Sequence, residues 1–297
     1  GATRLQRLPY FAENAPLRRF QLLEVSGEAH APLLSHFLRV DPAVAAWLLG
    51  EYQPHANLGD QAILYPPAAF EVDELLAENQ RAALAQTVET PDSPVIVFYG
   101  LDEVAQRLAG QFIAKQVQRP LLAINLQALI NSEEVPPKQA LRVALRDAHL
   151  TGAIPFLFGW DACLSKADDL PSDLMAELIA YSTLTIIAGQ TRWQAIHNHT
   201  QRLFFTLEFP IPAYEHRLTL WQYFLTSNPS TKMTNLPISQ SPIANRQSTN
   251  LQLPITNYQL PALSGQFALT TGQIRDAVAA ARGLAAQQNE TLTEHHL

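Results

Sequence analysis

From residue 95 onward the chain alternates short, continuously apolar runs with longer stretches of helical spacing. No other feature limits the folds open to it so strongly. The runs read as strands at 95–99, 121–126, 154–158, 185–188 and 204–209, with helices near 103–117, 138–150 and 172–181. Parallel neighbours need a long crossover, which a helix supplies. Continuous rather than alternating hydrophobicity implies that both faces of the sheet are covered. The expectation is an α/β fold: a three-layer core on a five-stranded parallel sheet. After Pro212 the pattern turns helical, over 214–225 and then 271–287.

Upstream, residues 1–90 read as a mainly helical domain. Asp41-Pro42 followed by Ala-Val-Ala-Ala-Trp-Leu-Leu-Gly50 carries an N-cap Asp, a first-turn Pro and a closing Gly. A second helix is expected over 71–89, and short extended pieces near 20–25 and 34–40. Thr90-Pro91-Asp92-Ser93-Pro94 breaks the pattern and sets a domain boundary, leaving a core over 91–210 and a helical lid over 211–297. Within that lid, 226–261 is rich in Asn, Ser, Thr, Gln and Pro and holds no acidic residue. It buries too little apolar surface to offset its chain entropy and reads as a mobile insertion, either a surface loop or a docking loop.

Charge and cysteine content narrow the function. Twenty Lys and Arg against 27 Asp and Glu give a balance of −7, with no long run of either sign, so nucleic acid and anionic membranes are disfavoured as partners. A single cysteine, Cys163, excludes an internal disulfide framework and fits a reducing compartment. It follows a hydrophobic strand and reads as a small buried side chain rather than a nucleophile. No apolar run is long enough to span a bilayer and no basic-then-apolar leader opens the chain, so the expected location is cytoplasmic. The start at Gly1, without an initiator Met, reads as a piece of something longer.

The first strand runs into a loop with the frame of a phosphate site: Val95-Ile-Val-Phe-Tyr-Gly-Leu-Asp-Glu-Val-Ala-Gln-Arg107. A working G-x-x-x-x-G-K-[ST] loop cradles phosphates with backbone amides, reaches the β and γ phosphates with its Lys and holds Mg²⁺ with its hydroxyl. Gly100 keeps the first position, but the second Gly is Ala105, the Lys is Gln106 and the hydroxyl is Arg107. Asp102, inside the same loop, joins the candidate set.

The strands, this loop and the helical tail together resemble a P-loop ATPase of the AAA+ type. The segment Leu150-Thr-Gly-Ala-Ile-Pro-Phe-Leu-Phe-Gly-Trp-Asp161 is similar to the Walker B strand of a group of bacterial AAA ATPases whose strand ends in Asp-Gly-Trp-Asp. On that alignment Phe158 stands where the resemblance implies a Mg²⁺-organising Asp, and Asp161 lies three residues later, either a relic of the site or a helix cap or turn residue. Gln190, closing Thr185-Ile-Ile-Ala-Gly-Gln190, falls where the family has a γ-phosphate sensor, and equally suits a turn. Arg202 falls where an arginine finger would act on a neighbour's nucleotide, and equally suits a surface cation at a strand end. Arg275, in Leu269-Thr-Thr-Gly-Gln-Ile-Arg275, resembles the lid arginine that reports on the γ phosphate, or pairs with a carboxylate on its own helix.

Segments 14–23 and 32–50 resemble the winged-helix-like region that precedes the ATPase domain in the same group. The helix after Asp41 is apolar and uncharged, which favours protein contact over DNA. His197-Asn-His199 and His295-His296 read as loops rather than metal ligands. The implied function is a degenerate AAA+ module, supporting oligomer assembly or partner recognition beside a second ATPase domain, other AAA+ subunits and a protein client. No cofactor is expected in it, with ATP and Mg²⁺ bound weakly at most. The alternatives are an active ATPase with atypical motifs and a pure interaction scaffold.

Overall fold

The computed structural model describes residues 8–12, 15–26, 36–67, 72–89, 93–131, 136–164, 171–193, 202–226, 260–288, and positions 290, 292 and 296. Residues 227–259 of the polar insertion, together with His197, His199 and His295, lie outside the described residues.

The N-terminal region opens with single helical turns at Leu8–Phe11 and Pro16–Arg19. Strands β1 (Leu23–Ser26) and β2 (Phe37–Val40) then form an antiparallel pair with Leu23 opposite Val40. Helix α1 (Pro42–Leu48) begins as its sequence dictates, with the Asp41 carboxylate accepting from the Ala43 and Val44 amides at 2.9 and 3.2 Å. Gly50, at φ +89°, ends that turn.

A six-stranded sheet follows. Strand β3 (Ala62–Tyr65) and helix α2 (Glu78–Val88) lead into β4 (Val95–Tyr99), α3 (Glu103–Gln116), β5 (Leu121–Asn125) and the short α4 (Leu126–Asn131). Then come α5 (Pro137–Leu150), β6 (Ile154–Phe158), α6 (Ser172–Ala180), β7 (Thr185–Ala188) and β8 (Phe204–Glu208). Spatially the order is β3-β5-β6-β7-β4-β8. The five strands from β4 to β8 pair in parallel, and β3 pairs antiparallel with β5, Ala62 opposite Ile124 and Tyr65 opposite Leu121. The five expected parallel strands are all present, and a sixth, antiparallel strand joins them. The added strand comes from upstream of residue 91 and covers the β5 edge.

Strand pleating splits the core into two layers. Ile96 and Phe98 point to one side, among Leu108, Ile113, Trp221 and Val278, while Val95 and Val97 point to the other, among Leu141, Ala144, Leu174 and Trp160. Helices α3, α7 (Tyr214–Thr226) and α9 (Thr271–Gln288) cover the first face; α4, α5 and α6 cover the second. The C-terminal helices form a unit through Arg217, which donates to the Ser264 carbonyl of α8 (Leu260–Gln266), and Arg282, which donates to the carbonyls of Phe224 and Leu225. Helix α9 starts with a capping box, Thr270 and Gln273 exchanging side-chain bonds with each other's amides.

A buried polar network fastens the N-terminal region to α5. Arg146 donates to the Asp147 carboxylate and to the Phe20 and Gln21 carbonyls, and His55 Nε2 meets Asp41 Oδ2 at 2.9 Å. Glu177 of α6 holds Arg19 and Arg142; burial opposes its charge, yet the two guanidiniums keep its carboxyl below the usual range. Among the described residues no helix is long and apolar enough to cross a membrane.

Candidate functional site

The carboxyl ends of β4 to β7 converge on one pocket, which is where ligands gather in open α/β sheets. Its volume is about 320 Å³, and Gln106, Arg107, Phe158, Asp161 and Gln190 all line it. The resemblance to AAA+ ATPases implied one site for these five residues, and the fold brings them together.

The β4–α3 loop is shaped by its neighbours. Gly100 sits at φ +122°, and a Cβ there would overlap the Phe209 carbonyl, so the position requires glycine. Its amide donates to the Gln190 carbonyl at 3.2 Å. Asp102 is buried and caps α3 through the Ala105 amide at 3.0 Å. Gln106, also buried, gives Nε2 to the carbonyls of Gly100 at 3.0 Å and Gly189 at 3.1 Å. The amide in the lysine position thus ties the loop to the end of β7.

Arg107 lies over Phe158, its guanidinium carbon 5.0 Å from the ring centroid, a cation–π geometry. Burial pushes the Arg107 pKa down, with Arg275 adding to that effect and Tyr65 and Glu103 opposing it. Arg107 Nε is buried without a partner. Arg275 approaches from α9 and pairs with Asp276 at 2.8 Å, the same-helix carboxylate alternative.

Past β6 the chain turns through Gly159 in the left-handed region, at φ +69°, into a 3-10 turn at Trp160–Cys163. Asp161 in that turn accepts the Gln190 amide at 2.8 Å and the Thr191 amide at 2.7 Å. Its carboxylate therefore shapes the β7 exit loop, a clamp on backbone amides rather than a cap on its own helix. Gln190 in turn donates through Nε2 to Glu103 at 2.8 Å. Burial, reinforced by Asp161, pushes the Cys163 thiol up to about 12 and keeps it protonated.

Arg202 lies apart from this pocket, at the opposite, amino-terminal end of β4 and β7. It donates to the carbonyls of Leu178, Tyr181 and Thr183, to Ser93 O at 3.2 Å and to Thr185 Oγ1 at 3.0 Å. Burial lowers its pKa to about 10. These bonds give Arg202 structural work within its own chain.

Sequence reasoning missed Glu103, Asn125, Gln127 and Thr191 as pocket residues. Asn125 carried a signal: a polar side chain closing an apolar run, here accepting the Ala128 amide at 3.1 Å to start α4. Among the described residues no cluster of His, Cys, Asp and Glu could hold a metal ion.

Sheet order, loop and pocket define the class: this is an α/β chain with an AAA-type P-loop fold. Comparison with known proteins locates it further. A crystal structure of the FIGL-1 AAA domain in complex with ADP aligns with a TM-score of 0.52 and 14% sequence identity, over 76% of this chain and 77% of that one. The family model "Winged helix domain, variant" matches residues 1–62, ending where β3 begins. No curated protein sequence matches the chain significantly.

Proposed function

We propose that this chain is a degenerate AAA+ module that serves assembly or partner binding instead of hydrolysing ATP. The observation that carries the reading is the contact between Arg107 and Phe158. These side chains stand at the two positions that would bracket Mg²⁺ in a working site, the loop hydroxyl and the strand-end carboxylate. A cation stacked on an aromatic ring supplies no oxygen ligand, and its charge repels a metal.

Set against a Mg²⁺-triphosphate, the remaining donors also fit poorly. Gln106 is neutral and its amide protons are engaged by Gly100 and Gly189. Steady-state phosphate release and ATP titration calorimetry test the reading together. Neither turnover nor micromolar binding is expected, and micromolar MgATP binding with turnover would overturn it. Restoring the motif with Gln106→Lys, Arg107→Thr and Phe158→Asp should create an ATP-dependent thermal shift.

The division into an N-terminal region, an α/β core and a helical lid belongs to the same reading, as do a partner ATPase domain or neighbouring AAA+ subunits. Among the described residues the N-terminal region exposes Phe37, Leu38, Leu48 and Leu49, apolar side chains that suit a protein client better than a phosphate backbone. The nearness of Arg107 and Arg275 favours a second reading, a metal-free nucleotide held by the two guanidiniums. A thermal-shift titration with ATP and ADP on the wild type and Arg107→Ala decides it, and absence of a shift in both removes it.

A further inference from the structure

Asp102 does more than cap its own helix. Only 1% exposed, it accepts the Ala105 amide with Oδ1 and, with Oδ2, the Thr271 amide at 2.8 Å from 169 residues further along the chain. Ala105 lies in the first turn of α3 and Thr271 is the first residue of α9. First-turn amides have no partner inside their helix and form its positive end. One carboxylate therefore serves two helix ends at once.

The helices also meet closely at this point. A Cβ on Gly272 would lie 2.8 Å from Val104 Cγ2, so the start of α9 approaches α3 at a separation that glycine permits. Asp102 itself is fixed from behind, its own amide donating to the Phe209 carbonyl at 3.2 Å.

We propose that Asp102 is a resident anion: its carboxylate holds the first-turn amides of α3 and α9 together and clasps the C-terminal helices to the core without nucleotide. This deepens the non-hydrolysing reading above and rests on it for the meaning of the loop. A carboxylate has the chemistry required, two oxygens that each accept one helix-end amide and a charge balanced by both dipoles.

Hydrogen exchange read by mass spectrometry on peptides spanning 100–106 and 269–274 tests the clasp. In Asp102→Ala both peptides should exchange about tenfold faster, the scale of losing one cap from a local opening equilibrium. Excess formate, a free carboxylate small enough for the vacated place, should restore protection in the variant, and chloride at equal ionic strength should not. Unchanged exchange at 269–274 overturns the proposal. Should Asp102→Ala fail to fold, Gly272→Ala leaves the carboxylate intact and forces α9 away from α3. It should speed exchange at 269–274 and leave 143–148 of α5 as in the wild type, and equal exchange at 269–274 would again overturn the clasp.

MgATP added to the wild type separates the two ideas. Altered protection on adding MgATP, accompanied by phosphate release, defeats the non-hydrolysing reading while leaving the clasp of the nucleotide-free protein in place. Unaltered wild type beside an unaltered Asp102→Ala defeats the clasp alone.

Discussion

Replacing Arg146 with alanine strikes the network that holds the N-terminal region to the core. Its guanidinium, 3% exposed, bonds Asp147 Oδ1 at 2.9 and 2.8 Å and the Gln21 and Phe20 carbonyls at 2.7 and 3.3 Å, and lies 3.7 Å from Asp41 Oδ1. Alanine leaves two buried carboxylates without their cation. Removing one partner of a buried ion pair costs about 3–5 kcal/mol. The Phe20 and Gln21 carbonyls add little, because the loosened segment can turn them to water, so about 4 kcal/mol is expected near neutral pH. For a chain of this size that corresponds to a fall of about 10 °C in Tm. The cost should shrink in acid. Burial raises the Asp147 carboxyl above its usual value and Arg146 pulls it back, so the variant carries it higher still. Burial lowers the His55 pKa, Arg146 lowers it further, and removing Arg146 lets the ring protonate between Asp41 and Asp147. Both changes let the folded variant bind protons that the folded wild type does not, and each stabilises the variant as pH falls. Urea unfolding at about pH 7.5 and about pH 5 measures this. A penalty under about 1 kcal/mol at the higher pH, or an equal penalty at both, refutes the reasoning.

Three further outcomes follow from the same geometry. Gly100→Ala forces a Cβ against the Phe209 carbonyl at φ +122° and should cost about 2–4 kcal/mol in thermal or urea unfolding; a neutral result would mean that the loop moves freely. Arg202→Met orphans the carbonyls of Leu178, Tyr181 and Thr183 and should cost about 2–4 kcal/mol without changing oligomeric state, whereas altered assembly at unchanged Tm would make Arg202 an interface arginine after all. Because burial depresses the His55 pKa below 6.5, the unfolded chain takes the proton first, and stability should fall as pH drops through 6.5 toward the folded value by up to about 1.4 kcal/mol per pH unit. Asp147, raised by burial, acts in the opposite sense nearer the carboxylate range. His55→Gln should flatten the slope, and a variant with the wild-type slope would count against this assignment.

The sequence exposed the core well where a single physical signal dominated. The strand at 95–99 was legible to the residue because five apolar side chains in a row need cover on both faces. The α1 start was legible because Asp41-Pro42 encodes a cap and a fixed φ. Strand β3 was not, since Ala62-Ile-Leu-Tyr65 is short, shows no alternation and takes its identity from pairing with β5. The resemblance put Gln106, Arg107 and Phe158 in one site, but not that the last two stack on each other. Asp102 was legible as a candidate of the loop, but not as a link between two helices. Its partner Thr271 belongs to another part of the chain, and only folding brings that amide to it. Arg202 read as exposed because nothing in its neighbours' identities reveals how many carbonyls converge on it.

Strand β3 also decides how this protein can be divided. It supplies four residues to the sheet and blocks the outer side of β5 from Leu121 to Ile124. A chain shortened to begin at residue 91 would bare that row of amides and carbonyls, an open template for any extended segment, and would tend to aggregate for reasons unrelated to its own fold. Tension applied to the N-terminal region would reach the core by the same route, peeling four residues from the sheet before it touched the pocket.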